Sequence, residues 1–159
     1  MVPDGHDCLS ALTEYSWKLY DLGDQFKNIP SVSTRIEIQL ARLDLCPLGH
    51  MNHSTILNDL AAGFCDRYYQ DGNTLDLNKC MEVSQLWLDL CPLGHPEHAE
   101  ALESLAMSLW DYYCIQKHKD DLSRLIEMHE RWLSLCPLGH AKHTRALGEH
   151  AKSLWELCI

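Results

Sequence analysis

The chain has 159 residues, 46% of them apolar and 23% charged, with a formal net charge of −10. That is one domain's worth of sequence, long enough to bury a core and too apolar for a disordered chain. The acidic balance argues against nucleic acid or a membrane as partner, no stretch reaches the ~18 apolar residues of a membrane span, and the polar, acidic start from Met1 to Asp7 lacks the basic and apolar regions of a secretory leader.

From the N-terminus, apolar residues at helical spacing predict seven helices, near 6–22, 32–45, 52–70, 76–90, 97–116, 120–135 and 142–157, and no strand. The first carries Leu12, Ser16 and Leu19. The second holds Ile36 and Leu43 and stops at Cys46, because Pro47 disfavours helix at the residue before it. In the third, Leu57, Leu60, Ala61 and Phe64 form an i, i+3, i+4, i+7 stripe. Asp71-Gly72-Asn73-Thr74 breaks it, and Asp76 is placed to cap the fourth. Leu102, Leu105, Ala106 and Leu109 repeat the stripe in the fifth. After Lys117-His118-Lys119-Asp120, Asp121 is placed to cap the sixth, which carries Leu122, Leu125, Ile126 and Leu133.

These elements are copies. Cys-Pro-Leu-Gly-His occurs at Cys46–His50, Cys91–His95 and Cys136–His140, 45 residues apart, each followed three residues on by a second histidine (His53, His98, His143). The period also aligns Leu57, Leu102 and Leu147; Ala61, Ala106 and Ala151; Phe64, Leu109 and Leu154; Asp66, Asp111 and Glu156. The chain therefore reads as one domain of three repeats, about 5–49, 50–94 and 95–139, with a half repeat over 140–159. A helical hairpin repeated in this way cannot bury its stripe alone, so the expected fold is all-α, an α-solenoid of stacked hairpins.

A large apolar residue followed at once by a small one, then a large one three on, with a proline closing the second helix, resembles the tetratricopeptide repeat (TPR). Leu60-Ala61 with Phe64 and Leu105-Ala106 with Leu109 carry that resemblance. The 45-residue unit is similar to the long, kinesin-light-chain-like kind. Pro92-Leu93-Gly94-His95-Pro96 resembles the linker of fungal TPR arrays, some of which are fused to CHAT-type peptidase or NTPase domains. The resemblance implies a right-handed stack whose first helices line a concave face. It implies a non-catalytic protein- or peptide-binding module or, alternatively, a structural stretch of a longer array serving such an effector domain.

Each linker supplies Cys, His and His, all zinc-competent residue types. Three donors without a fourth, in clusters roughly 10 Å apart by helix packing distance, argue against a metal. A Cys-His nucleophile lacks an orienting group and an oxyanion hole. The expectation is a structural turn, with no catalytic residue, metal or cofactor. The linker cysteines are one position repeated, too far apart to pair, and Cys65, Cys80, Cys114 and Cys158 read as small buried apolar residues of a reducing, cytoplasmic protein.

If the Leu-Ala pair sets the register, the concave groove is lined by Trp17, Tyr20 and Asp21, by Asn58 and Asp66, by Glu103, Trp110 and Asp111, and by Lys152, Trp155 and Glu156. Tryptophans beside an acid ladder suit a basic or amphipathic peptide. Trp87 and Trp132, in one second-helix column, are assigned to packing. The last helix carries Leu147, Leu154, Trp155 and Leu157 with no helix after it in this sequence to cover them, which predicts either self-association through that end or, in a longer parent, a further repeat docking there.

Overall fold

The computed structural model describes Ser10, Ala11, Glu14, residues 32–46 and residues 52–158. Among these residues the protein is all α, with six helices and no strand: α1 (Val32–Leu45), α2 (His53–Asp71), α3 (Thr74–Leu90), α4 (His98–Gln116), α5 (Lys119–Leu135) and α6 (His143–Leu157). Every helix expected from residue 32 onward is present. The expected helix 6–22 lies outside the described residues except at Ser10, Ala11 and Glu14, which are helical. No helix among the described residues is long and apolar enough to cross a membrane.

Two expected caps are displaced. Helix α3 begins at Thr74, and the Leu75 amide donates to Asn73 Oδ1 at 3.1 Å. Asn73 is thus the capping side chain. Asp76 instead sits buried in the first turn, where Arg67 donates to it through Nε (2.8 Å) and a terminal nitrogen (2.6 Å). Helix α5 begins at Lys119, so Asp121 lies with Asp120 in its first turn, where negative charge complements the helix dipole.

The chain forms two compact units, Met1–Val83 and Ser84–Ile159, divided within α3. In the first, α1 packs on α2. Val32, Ile36 and Gln39 share one buried face of α1, and α2 buries Ile56, Leu57, Leu60, Ala61 and Phe64. Gly63 lets the helices meet, since a Cβ there would stand 3.0 Å from Ile36 Cγ1. One repeat on, the same column holds Ser108 and then Ser153, both fully buried. It is a second small-residue column, two positions after the alanines.

In the second unit, α5 packs against both α4 and α6. Helix α4 buries Leu102, Leu105, Ala106 and Leu109, and α5 buries Leu122, Leu125, Met128 and Trp132. Ile126 and Leu133 of the expected α5 stripe are only half-buried. Trp87 is as buried as Trp132. Helix α6 buries only Ala146 and Ser153.

One column of polar side chains bonds to the next first helix, each time within a unit, with the third partner one helical turn further along. Gln39 Nε2 donates to Asp59 Oδ2 (3.3 Å), Ser84 and Ser104 share a hydroxyl bond (2.9 Å), and His129 Nδ1 meets Ser153 Oγ (2.8 Å). Gln39, Ser84 and His129 are one column, 45 residues apart, and all three are buried. The repeat thus joins its second helix to the next first helix through a hydrogen bond made by a buried side chain, which fixes register because leaving that group unpaired is costly.

Candidate functional site

The linkers are where the sequence concentrates its chemistry. The Cys91 amide donates back to the Trp87 and Leu88 carbonyls (3.1 and 3.2 Å), closing α3. Pro92 to His95 then make a turn, with the His95 amide donating to the Pro92 carbonyl at 2.9 Å and Gly94 at φ 95°. That positive φ at the third position is a type II turn's requirement and is met by glycine. His95 Nδ1 accepts from the Glu97 amide (3.2 Å), and buried His98 places Nδ1 2.5 Å from the Cys91 carbonyl. A carbonyl only accepts, so His98 carries its proton on Nδ1. The two histidines thus serve backbone groups that the chain reversal leaves without partners. The last linker repeats this, with His140 Nδ1 accepting from the Lys142 amide and His143 Nδ1 on the Cys136 carbonyl.

The donors that converge are not the Cys-His-His sets that the repeated motif spells out. Cys91, His95 and Glu97 have ligand atoms within 4.8 Å of one another, and this is the group of three that could hold a metal ion among the described residues. Glu97 also accepts from the Trp87 indole N–H at 3.3 Å. The equivalent positions in the other copies are Asn52 and Lys142, so the repeat pattern drew no attention to Glu97. His50 lies outside the described residues. Burial, with Glu97 adding to it, raises the Cys91 thiol above its ordinary range against a lesser pull from Trp87, and burial does the same to Cys136 and Cys46. These thiols are protonated at neutral pH, the wrong state for a nucleophile.

Of the expected groove residues, Trp17, Tyr20 and Asp21 lie outside the described residues. In the first unit, Asn58 is exposed and Asp66 pairs with Arg35. In the second, Glu103 is buried rather than solvated, beneath Lys142 Nζ and an Arg145 nitrogen, each at 2.9 Å. Trp110 is half-buried, stacked at a tilt on Tyr113 with ring centres 6.1 Å apart, and Asp111 lies half-buried beside it. Glu156 accepts from the Tyr113 hydroxyl (3.3 Å) and Lys117 Nζ (3.2 Å). Lys152 pairs with Glu149 (2.7 Å), and Trp155 is 70% exposed. The structure therefore gathers Trp110 and Glu156 around Tyr113, while three acids of the ladder are already paired with cations of the chain.

The apolar surface that stands open is on α6. Leu147, Ala151 and Leu154 are exposed at i, i+4, i+7, with Trp155 and Leu157 beside them. Their equivalents on α4, Leu102, Ala106 and Leu109, are at most 3% exposed.

Two cysteine expectations are corrected. Cys114 and Cys158 are exposed, and Cys158 lies just past α6. Cys65 and Cys80 form a close pair across α2 and α3, their sulfurs 2.8 Å apart.

No family model matches the chain, and no curated protein or solved structure matches it.

Proposed function

We propose that the chain is a non-catalytic protein-binding module, a TPR-like α-solenoid of seven helices with helix 6–22 as the first, working in the cytoplasm. The observation that carries this reading is the open α6 face. On α4 the same column is buried, and α5 is the helix that follows α4 and packs against it. The α6 face thus has the shape and chemistry that accept an amphipathic helix, with Trp155 as the large exposed anchor. The chain's net charge of −10 suits a basic or amphipathic segment. The absence of a catalytic role for the linkers at 91–98 and 136–143 rests on their protonated thiols and on Nδ1 ring nitrogens already serving the backbone.

A synthetic peptide of residues 119–135 is the natural probe, since that helix packs against α4, which carries the equivalent column. The reading expects this peptide, made with Trp132→Phe so that only the chain's own tryptophans report, to bind, to shift tryptophan emission to the blue, and to lose the shift in Trp155→Phe. Leu147→Glu with Leu154→Glu should abolish binding without unfolding. Concentration-dependent association in light scattering, lost in the same double variant, would make the occupant a second copy of the chain. Neither binding nor association would end the reading.

A further inference from the structure

The Cys65–Cys80 pair has no place in the binding reading and stands on its own geometry. Cys65 lies on α2 and Cys80 on α3, both within the first unit. Their sulfurs at 2.8 Å are closer than two non-bonded sulfurs rest, and about 0.8 Å beyond the length of a disulfide bond. The repeat does not require cysteine at either position, since one period on the same columns hold Trp110 and Leu125. Nor can the two helices drift apart easily. The bidentate Arg67–Asp76 pair ties them near the turn, and Arg67 also donates to Ser33 on α1 at 3.2 Å. Gly72, at φ 69° with its amide on the Tyr68 carbonyl, sets the reversal between them.

We propose that Cys65 and Cys80 are a site of reversible thiol oxidation, closed to an intramolecular disulfide by a small-molecule disulfide of the glutathione class. Access orders the steps: Cys65 is half-buried, Cys80 only 1% exposed. The Cys65 thiolate attacks the incoming disulfide, forming a mixed disulfide and releasing one thiolate. Cys80 then loses its proton to that thiolate and attacks the Cys65 sulfur, expelling the second thiolate, which takes up the Cys65 proton from water. The sum is protein dithiol plus small disulfide giving protein disulfide plus two small thiols, with two electrons passing to the oxidant. The bond closes a loop of about 15 residues and restricts the unfolded chain, so the oxidised first unit is the more resistant one.

The test is oxidation of the whole chain with glutathione disulfide, read by intact mass and by alkylation of remaining thiols. The expected product has lost two hydrogens, carries no adduct at Cys65 or Cys80, and melts roughly 5–10 °C higher until dithiothreitol reverses it. Cys65→Ser and Cys80→Ser should each abolish the mass loss and the rise in Tm. Cys91→Ser, which removes a linker thiol, should leave both. Should Cys80→Ser unfold, Cys65→Ser alone decides, because its position is partly open to water. Glutathione adducts at exposed Cys114 and Cys158 with Cys65 and Cys80 still alkylatable would overturn the proposal, and so would a disulfide that survives in Cys65→Ser.

Discussion

The linkers at residues 91–98 and 136–143 have the same backbone and different allegiances. In both, the turn amide donates to the proline carbonyl at 2.9 Å, glycine sits near φ 95°, the first histidine ring accepts an amide, and the second meets the cysteine carbonyl. They part at one position. Glu97 reaches back to the Trp87 indole of α3, the helix just completed. Lys142 cannot accept a hydrogen bond, and turns to Glu100 (3.2 Å) and Glu103 (2.9 Å) on α4. The Trp132 indole N–H, equivalent to that of Trp87, is left buried with no partner. The comparison teaches that proline, glycine and two histidines suffice to build the reversal, while one variable side chain decides which helix it is tied to.

The largest effect should come from breaking what the linkers share. His98→Ala removes a buried ring and leaves the Cys91 carbonyl without its partner, which costs about 3 kcal/mol. His143 is only half-buried, so His143→Ala should cost about half as much by the same reasoning. Urea unfolding of both variants measures this. Equal costs would mean that the ring's burial contributes nothing.

A second contrast lies in the helix pairs that each linker joins. Between α3 and α4 the buried contact is Ser84 with Ser104, which carries no charge. Between α5 and α6 it is His129, whose pKa burial lowers to about 4, with Glu149 working against that and His150 and Lys152 adding to it. An unfolded histidine binds its proton near the ordinary pKa. The contribution of His129 is therefore full above about pH 6.5 and is lost as pH falls toward 4, on the order of 2 kcal/mol. His129→Gln, which can still donate to Ser153, should flatten the stability profile between those limits. A profile unchanged by the substitution would place the sensitivity elsewhere.

Much of this architecture is legible in the sequence, for identifiable reasons. Helix extents follow from apolar stripes that proline terminates, so α1 to α6 fall where expected. The buried Gly63, Ser108 and Ser153 column is not legible, because glycine and serine do not announce a core face. The Gln39, Ser84 and His129 column escapes for the same reason, since a polar side chain becomes a core residue only once its partner is known. Glu103 is buried by Lys142 and Arg145, roughly a full repeat away, and periodicity marks positions without marking such pairings. Cys65 and Cys80 belong to different columns, so reading each as a small buried apolar residue gave no sign that they face one another.

A smaller effect sharpens the difference at Glu97 and Lys142. Trp87→Phe and Trp132→Phe remove similar volume from buried sites, but only the first loses a hydrogen bond. The second instead relieves an unsatisfied donor. Trp87→Phe should therefore be the more destabilising by about 1 kcal/mol. In Glu97→Lys that difference should shrink, because the Trp87 indole then lacks its acceptor as well. A gap unaffected by Glu97→Lys would sever the link between this position and the tryptophan.

The smallest expected effect is that of a chelator. Cys91, His95 and Glu97 bring three donors together, and a structural zinc there would contribute its binding energy to folding. Yet the last linker reaches the same turn, glycine conformation and histidine contacts with an ammonium group at the third donor's position. An ion is therefore not what shapes this reversal, and the Cys91 thiol held protonated by burial disfavours metal further. Treatment with EDTA should leave Tm unchanged, and elemental analysis should find less than one zinc per chain. A drop in Tm that Glu97→Gln removes would show that the middle linker has acquired a dependence on metal that its copy lacks.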